Sequence, residues 1–262
     1  MVIGGVLYHN IRRVSRLGPL TWEAQCATKD PGFAIICRVK PKLPFAILFE
    51  DRRLVAIDKP CGLLSTHSRL HGKAARESQP TAENLLTDYL RKGQAKSRLR
   101  AWPVHRLDRE TSGVLLFAKE ESLAARLREN WNRIADKTYL ARVEGLLDAP
   151  EGIFESSLRD NPRTMKVSSV ANPALGKPSR TEWRRISTES GTTLAEVVLK
   201  SGRKNQIRVH FSEAGHPVVG DMKYGGRKAS RLYLHAWKLR VRDAELGVDL
   251  SLVSDPARHG FR

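Results

Sequence analysis

Between residues 103 and 118 a segment dense in charge passes directly into an unbroken apolar run. Pro103-Val104-His105-Arg106-Leu107-Asp108-Arg109-Glu110-Thr111-Ser112-Gly113 is followed by Val114-Leu115-Leu116-Phe117-Ala118. A short continuous apolar run behind turn residues reads as a loop feeding a fully buried strand. Thr111, Ser112 and Gly113 supply the turn, and Gly113 can take a positive φ that a side chain would resist. Asp108 is therefore expected on a tight loop anchored by a core strand, with Arg106 and Arg109 on either side. Neighbouring cations of this kind are expected to lower its pKa and keep it a carboxylate at neutral pH.

The rest of the chain supplies neighbours for that strand. Residues 47–51 and 54–58 are predicted strands joined by a turn at Arg52 and Arg53, and Lys59-Pro60-Cys61-Gly62 closes the second. A long polar insertion, residues 65–101, holds one helix in which Leu85, Leu86, Tyr89 and Leu90 share a face. Lys92, Lys96, Arg98 and Arg100 then run into the Asp108 loop. After the buried strand, Leu123, Leu127, Trp131 and Ile134 recur at helical spacing, so Trp131 is expected in the core. Residues 137–145 alternate as a half-buried strand. Antiparallel hairpins are predicted around Asp160-Asn161-Pro162 and around Ser190-Gly191. Arg159, Arg163, Lys166, Lys177 and Arg180 place a basic rim on the first of them. Asn205 is expected to cap a helix with Ile207, Phe211 and Ala214 inward, ended by Gly215. Upstream of all this, residues 33–39 are a candidate strand in a weakly patterned extension. The fold class is α+β: a mixed, mainly antiparallel sheet with peripheral helices and a central cleft.

Charge narrows the partner. Across 262 residues the formal net charge is +18 with a pI near 10.3, which implies a polyanion. No apolar run is long enough to span a membrane and no basic amphipathic helix stands out, so nucleic acid is the better reading. The start, Met1 to Tyr8, lacks the features of a signal peptide. Cys26, Cys37 and Cys61 leave one thiol unpaired under any scheme and show no C-x-x-C spacing. Free thiols in a reducing, cytoplasmic compartment are expected, with no zinc site. The histidines form no ligand cluster and no phosphate-cradling glycine motif appears, so neither metal nor organic cofactor is expected.

The string His-Arg-Leu-Asp-x-x-Thr-Ser-Gly before a buried strand resembles the catalytic motif of the RluA-type pseudouridine synthases. Lys59-Pro60-x-Gly62, Lys137-x-Tyr139 and Gly202-Arg203-x-x-Gln206-Ile207-Arg208 resemble further blocks of that family, as do residues 217–225 and 232–237. Ser201, Lys204 and Asn205 depart from the commoner pattern. The resemblance spans roughly residues 45–242. It implies an isomerase acting on ribosomal or transfer RNA, with Asp108 essential, Arg208 paired with it and Tyr139 against the base. It also implies Arg106, Lys137 and Arg203 as RNA-binding residues, Arg106 filling the space of an extruded base. The chain is accordingly read as a short extension over residues 1–44 without an S4-type RNA-binding domain, a catalytic domain over 45–243 and a tail over 244–262, acting as a monomer. Glu110 receives no role. The competing readings are a non-catalytic RNA-binding or ribosome-assembly protein and an RNA N-glycosylase.

Overall fold

The computed structural model describes residues 43–67, 79–94 and 96–261. The strand expected at 33–39, Cys26, Cys37 and the extension up to residue 42 lie outside the described residues.

Among the described residues eleven strands join one sheet. In chain order they are β1 (Ala46–Glu50), β2 (Leu54–Lys59), β3 (Trp102–Pro103), β4 (Ser112–Ala118), β5 (Ala135–Glu144), β6 (Glu151–Asn161), β7 (Lys166–Val170), β8 (Lys177–Glu189), β9 (Thr192–Leu199), β10 (Leu234–Asp243) and β11 (Val248–Val253). Three α-helices accompany them: α1 (Ala82–Arg91), α2 (Glu121–Ile134) and α3 (Gln206–Glu213). The main path runs β1-β2-β4-β10-β5-β9-β8-β6-β7, with β3 on β4 and β11 on β10. Every pairing is antiparallel except β4 with β10, a short parallel contact of His235 with Ser112 and Ala236 with Gly113. The fold is the mixed, mainly antiparallel α+β arrangement expected.

The apolar run explains why β4 is central. All seven of its residues are buried, and successive side chains point to opposite faces. Leu115 and Phe117 meet Leu86 and Leu90 of α1 on one face. Val114 and Leu116 meet Leu123, Leu127 and Ile134 of α2 on the other. Each such side chain contributes about 1.5–3 kcal/mol by leaving water. Trp131 completes the α2 face, half-buried against the same cluster. A third cluster lies across the sheet, where Ile207 and Phe211 of α3 pack on Ala141, Trp183 and Val197. Helix α1 starts where the Thr81 hydroxyl accepts from the Asn84 amide, and it ends with Lys92 in the left-handed region.

The tail drawn from Ala244 requires correction, because it is built into the sheet. Val248, Leu250 and Leu252 point into the core from β11. Beyond it, Asp58 of β2, only 6 % exposed, accepts from the Ser254 hydroxyl at 2.7 Å and from His259 at 2.8 Å. Buried carboxylates need such partners.

Candidate active site

Asp108 lies on the loop between β3 and β4, and that loop is tied down at several points. Ser65 Oγ donates to the Leu107 carbonyl at 2.7 Å and accepts from the Leu107 amide at 3.1 Å. The Gly62 amide donates to the Arg109 carbonyl at 2.9 Å, while Arg109 Nε donates to the Gly62 carbonyl at 3.1 Å. His105 accepts the Leu116 amide on Nε2 at 3.1 Å and stacks on Trp131 with ring centroids 4.8 Å apart. Burial, reinforced by nearby Lys137, pushes the His105 pKa down to about 3, so its ring is a neutral fastener.

Beneath the loop sits Lys59, which no accessible surface reaches. Its ammonium donates to the carbonyls of Pro60, Leu63 and Arg109 at 2.9, 2.8 and 3.1 Å. Burial lowers its pKa to about 8, against the opposing pull of Cys61, Asp108 and Glu110. The sequence motif marks this lysine as a strand exit. The fold makes it the cation that knits the Lys-Pro-x-Gly turn to the Asp108 loop.

Gly113 follows the loop with φ +113°, and a Cβ there would lie 2.2 Å from the Ala236 carbonyl oxygen. A side chain would force β4 and β10 apart, so glycine is required on two grounds.

Arg208 rises from the first turn of α3 with its side chain only 6 % exposed. Its fork is already occupied: Nε donates to Asp221 Oδ2 at 2.6 Å and Nη2 to Asp221 Oδ1 at 2.8 Å. The remaining nitrogen, Nη1, stands 3.6 Å from Asp108 Oδ2 and 3.7 Å from Glu110 Oε2. The expected Asp108–Arg208 pair is thus present as an ion pair beyond hydrogen-bond length, while Asp221 takes the two-bond contact. Asp221 and Tyr224, whose ring lies 5.3 Å from the Arg208 guanidinium, are site residues that sequence reasoning missed. The available signal was an acid and a tyrosine in a glycine-bounded turn, Gly220-Asp221-x-x-Tyr224-Gly225.

The Asp108 pKa needs correction in sign. Burial pushes it above the ordinary aspartate value, Arg208 and Arg106 pull it down, and Glu110 adds to the rise. Desolvation outweighs the cations, and Asp221 keeps the Arg208 fork from making a two-bond contact with Asp108. Tyr139, half-buried on β5, has its hydroxyl pKa pushed up first by burial and then by Asp108. It is a phenol at neutral pH.

The proposed RNA contacts separate. Arg106 is exposed and Arg203 half-exposed, the latter donating from Nε to the Pro178 carbonyl at 3.1 Å. Lys137 departs from expectation: it is buried, with its ammonium 3.1 Å from Asn132 Oδ1. On the basic rim Arg180 is bound by Glu155 and Glu182, whereas Arg159, Arg163 and Lys166 are exposed. Asn205 stands before α3 but does not cap it, because its φ of 53° turns the side chain away from the helix amides. Among the described residues no group of three or more His, Cys, Asp or Glu is placed to hold a metal ion. No helix there is long and apolar enough to cross a membrane.

Comparison with known proteins identifies the family. A family model described as RNA pseudouridylate synthase matches residues 53–213. The chain is 34 % identical over 220 residues to the ribosomal large subunit pseudouridine synthase D of Nitrosomonas europaea, covering 78 % of this chain and 60 % of that protein. It is also 34 % identical over 206 residues to the dual-specificity RNA pseudouridine synthase RluA of Vibrio cholerae, covering 76 % and 78 %. The solved structure of human RNA pseudouridylate synthase domain containing 4 shares the fold, with TM-score 0.62 and 23 % identity over 80 % of this chain and 87 % of that one.

Proposed function

The chain belongs to the RNA pseudouridylate synthase family, of the RluA type, and from that premise we propose that it converts uridines in ribosomal or transfer RNA to pseudouridine through Asp108. The observation that carries the reading is the half-buried Asp108 carboxylate facing a cation whose fork is held by Asp221. Such a carboxylate stays close to a positive charge without being consumed by a two-bond salt bridge.

The chemistry fits one carboxylate. The bond between uracil N1 and the ribose C1′ breaks with its electron pair going to uracil, where the charge is delocalised. Asp108 either bonds to C1′ or stabilises the positive charge developing there. The detached uracil turns, its C5 bonds to C1′, the C5 proton departs and N1 is protonated. Atoms balance without a cofactor. Arg208 supplies a permanent charge at the site floor. Tyr139, kept a phenol, gives the base a neutral aromatic face. The base must first leave its stack, at a cost of a few kcal/mol, and Arg106 is placed beside Asp108 to occupy the vacated space.

The deciding assay uses RNA carrying tritium at uridine C5. Each turnover releases tritium to water while the base stays attached. Release of free uracil would indicate an N-glycosylase, and binding without either product a non-catalytic RNA-binding protein.

Two expectations follow from the charges. RNA affinity falls steeply with salt; for about five neutralised phosphates on single-stranded RNA the slope of log K against log salt is about −3.5. A flat response in a filter-binding titration would exclude the exposed arginines as the docking surface. Glu110→Gln removes the anion that shares Arg208 Nη1 and raises the Asp108 pKa. Ionising Asp108 becomes easier, so the acid limb of the kcat profile moves to lower pH. An upward move would overturn the electrostatic account.

A further inference from the structure

The β6–β7 hairpin carries Arg159, Arg163 and Lys166 on exposed positions, yet it is not a free arm. Antiparallel pairing to β6 leaves alternate amides of β7 facing outward. Two of them are taken by side chains from the catalytic half of the molecule. The Val167 amide donates to the Tyr224 hydroxyl at 2.9 Å, and the Ser169 amide to Glu213 of α3 at 2.9 Å. Lys204 grips Asp160 with bonds of 3.0 and 2.8 Å, and Lys223 donates to the Met165 carbonyl. Leu158 and Val167 close a small apolar cluster with Val209 and Tyr224.

Tyr224 is the residue these contacts share with the reaction centre. Its hydroxyl also accepts from Asn205 Nδ2 at 3.0 Å, its amide donates to Asp221 Oδ1 at 3.2 Å, and its ring lies 5.3 Å from the Arg208 guanidinium. One side chain therefore touches the hairpin through oxygen and the site cation through its ring.

Resting on the function proposed above, we propose that Tyr224 is a positioning residue that couples the hairpin to Arg208, the hydroxyl latching β7 and the ring holding the guanidinium in line with Asp108. RNA phosphate on Arg159, Arg163 or Lys166 then bears on a hairpin whose seat is the residue that places Arg208. The hairpin serves as a docking element registered to the reaction centre, beyond its part as a patch of charge.

The two parts of the side chain can be separated by comparing Y224F with Y224M. Y224F removes the latch, together with the bond from Asn205, and keeps the ring. Loss of one amide bond of about 1 kcal/mol should speed hydrogen exchange at Val167 roughly fivefold and raise KM for RNA by a similar factor. The acid limb of kcat should stay at its wild-type pH. Y224M removes both parts, so exchange rises as before, kcat falls and the acid limb moves to higher pH as Arg208 relaxes its hold on Asp108. Wild-type exchange and KM in Y224F would overturn the latch, and an acid limb common to Y224F and Y224M would overturn the ring's part. Exchange at Val167 is read without turnover, so Y224F decides the latch even where Y224M fails to fold. A wild-type protein inactive in the tritium assay would defeat the function reading and leave the exchange result standing.

Discussion

Replacing Asp108 by Asn should lower the rate of pseudouridine formation by about four orders of magnitude, roughly 5.5 kcal/mol of transition-state stabilisation at about 1.4 kcal/mol per tenfold. RNA affinity stays within a few-fold of wild type, since the change leaves shape and the exposed cations alone. The same substitution stabilises the fold at neutral pH. The folded-state pKa of Asp108 lies above its ordinary value because of burial, so the folded chain binds that proton more tightly than the unfolded one. Stability therefore falls as pH rises from the unfolded pKa through the folded one. Asn escapes this loss, so the melting temperature of D108N exceeds that of wild type at pH 7 and the difference vanishes in acid. Arg208 is not orphaned by the change, because Asp221 keeps its fork. A lower melting temperature for D108N at pH 7, or a retained rate, would contradict this account.

Asp221→Ala acts in the opposite way on stability. It leaves a guanidinium that is only 6 % exposed without its two-bond partner, and breaking a buried pair from one side costs about 3–5 kcal/mol. Of the two acids that remain within reach of Arg208, Glu110 is half exposed to water, which leaves the better-shielded Asp108 as the stronger partner. A fork released from Asp221 closes on it, lowers its pKa and blunts it as a nucleophile. Chemical denaturation should show the lost stability. In the surviving folded fraction kcat should fall while its acid limb moves to lower pH. An acid limb that moves up, with stability unchanged, would remove Asp221 from the site.

These two experiments also mark where sequence reading succeeds and where it stops. The Asp108 loop and its strand are legible because chemistry and hydrophobicity change abruptly at Gly113. Helix α2 is legible because Leu123, Leu127 and Ile134 keep one face. The Asp221 fork is not, since an Asp in a polar turn reads the same whether it faces water or a buried arginine. The sign of the Asp108 shift is hidden for a related reason: charges can be counted along a chain, but desolvation belongs to the packed fold. Lys137 failed likewise, as a lysine on an alternating strand gives no notice that Asn132 waits inside. Strand β11 is different. Val248, Leu250 and Leu252 alternate with polar residues, a visible period of two, and the boundary at 243 followed the end of the family resemblance instead of that signal.

The short parallel contact between β4 and β10 has a consequence for how the chain comes into being. His235 pairs there with Ser112, and the bond between their side chains closes a loop of 123 residues. Asp108 stands on the β2–β4 side, while Tyr139 and Arg208 belong to the other. The side of Tyr139 and Arg208 has an apolar cluster of its own, whereas the cluster beside Asp108 draws in Ala236 and Tyr139 and the reaction centre is complete only after this distant closure, the kind of contact that forms slowly. The exposed arginines and lysines need no such closure to attract a polyanion. A chain caught part-way through folding therefore carries its basic surface before it has an assembled reaction centre.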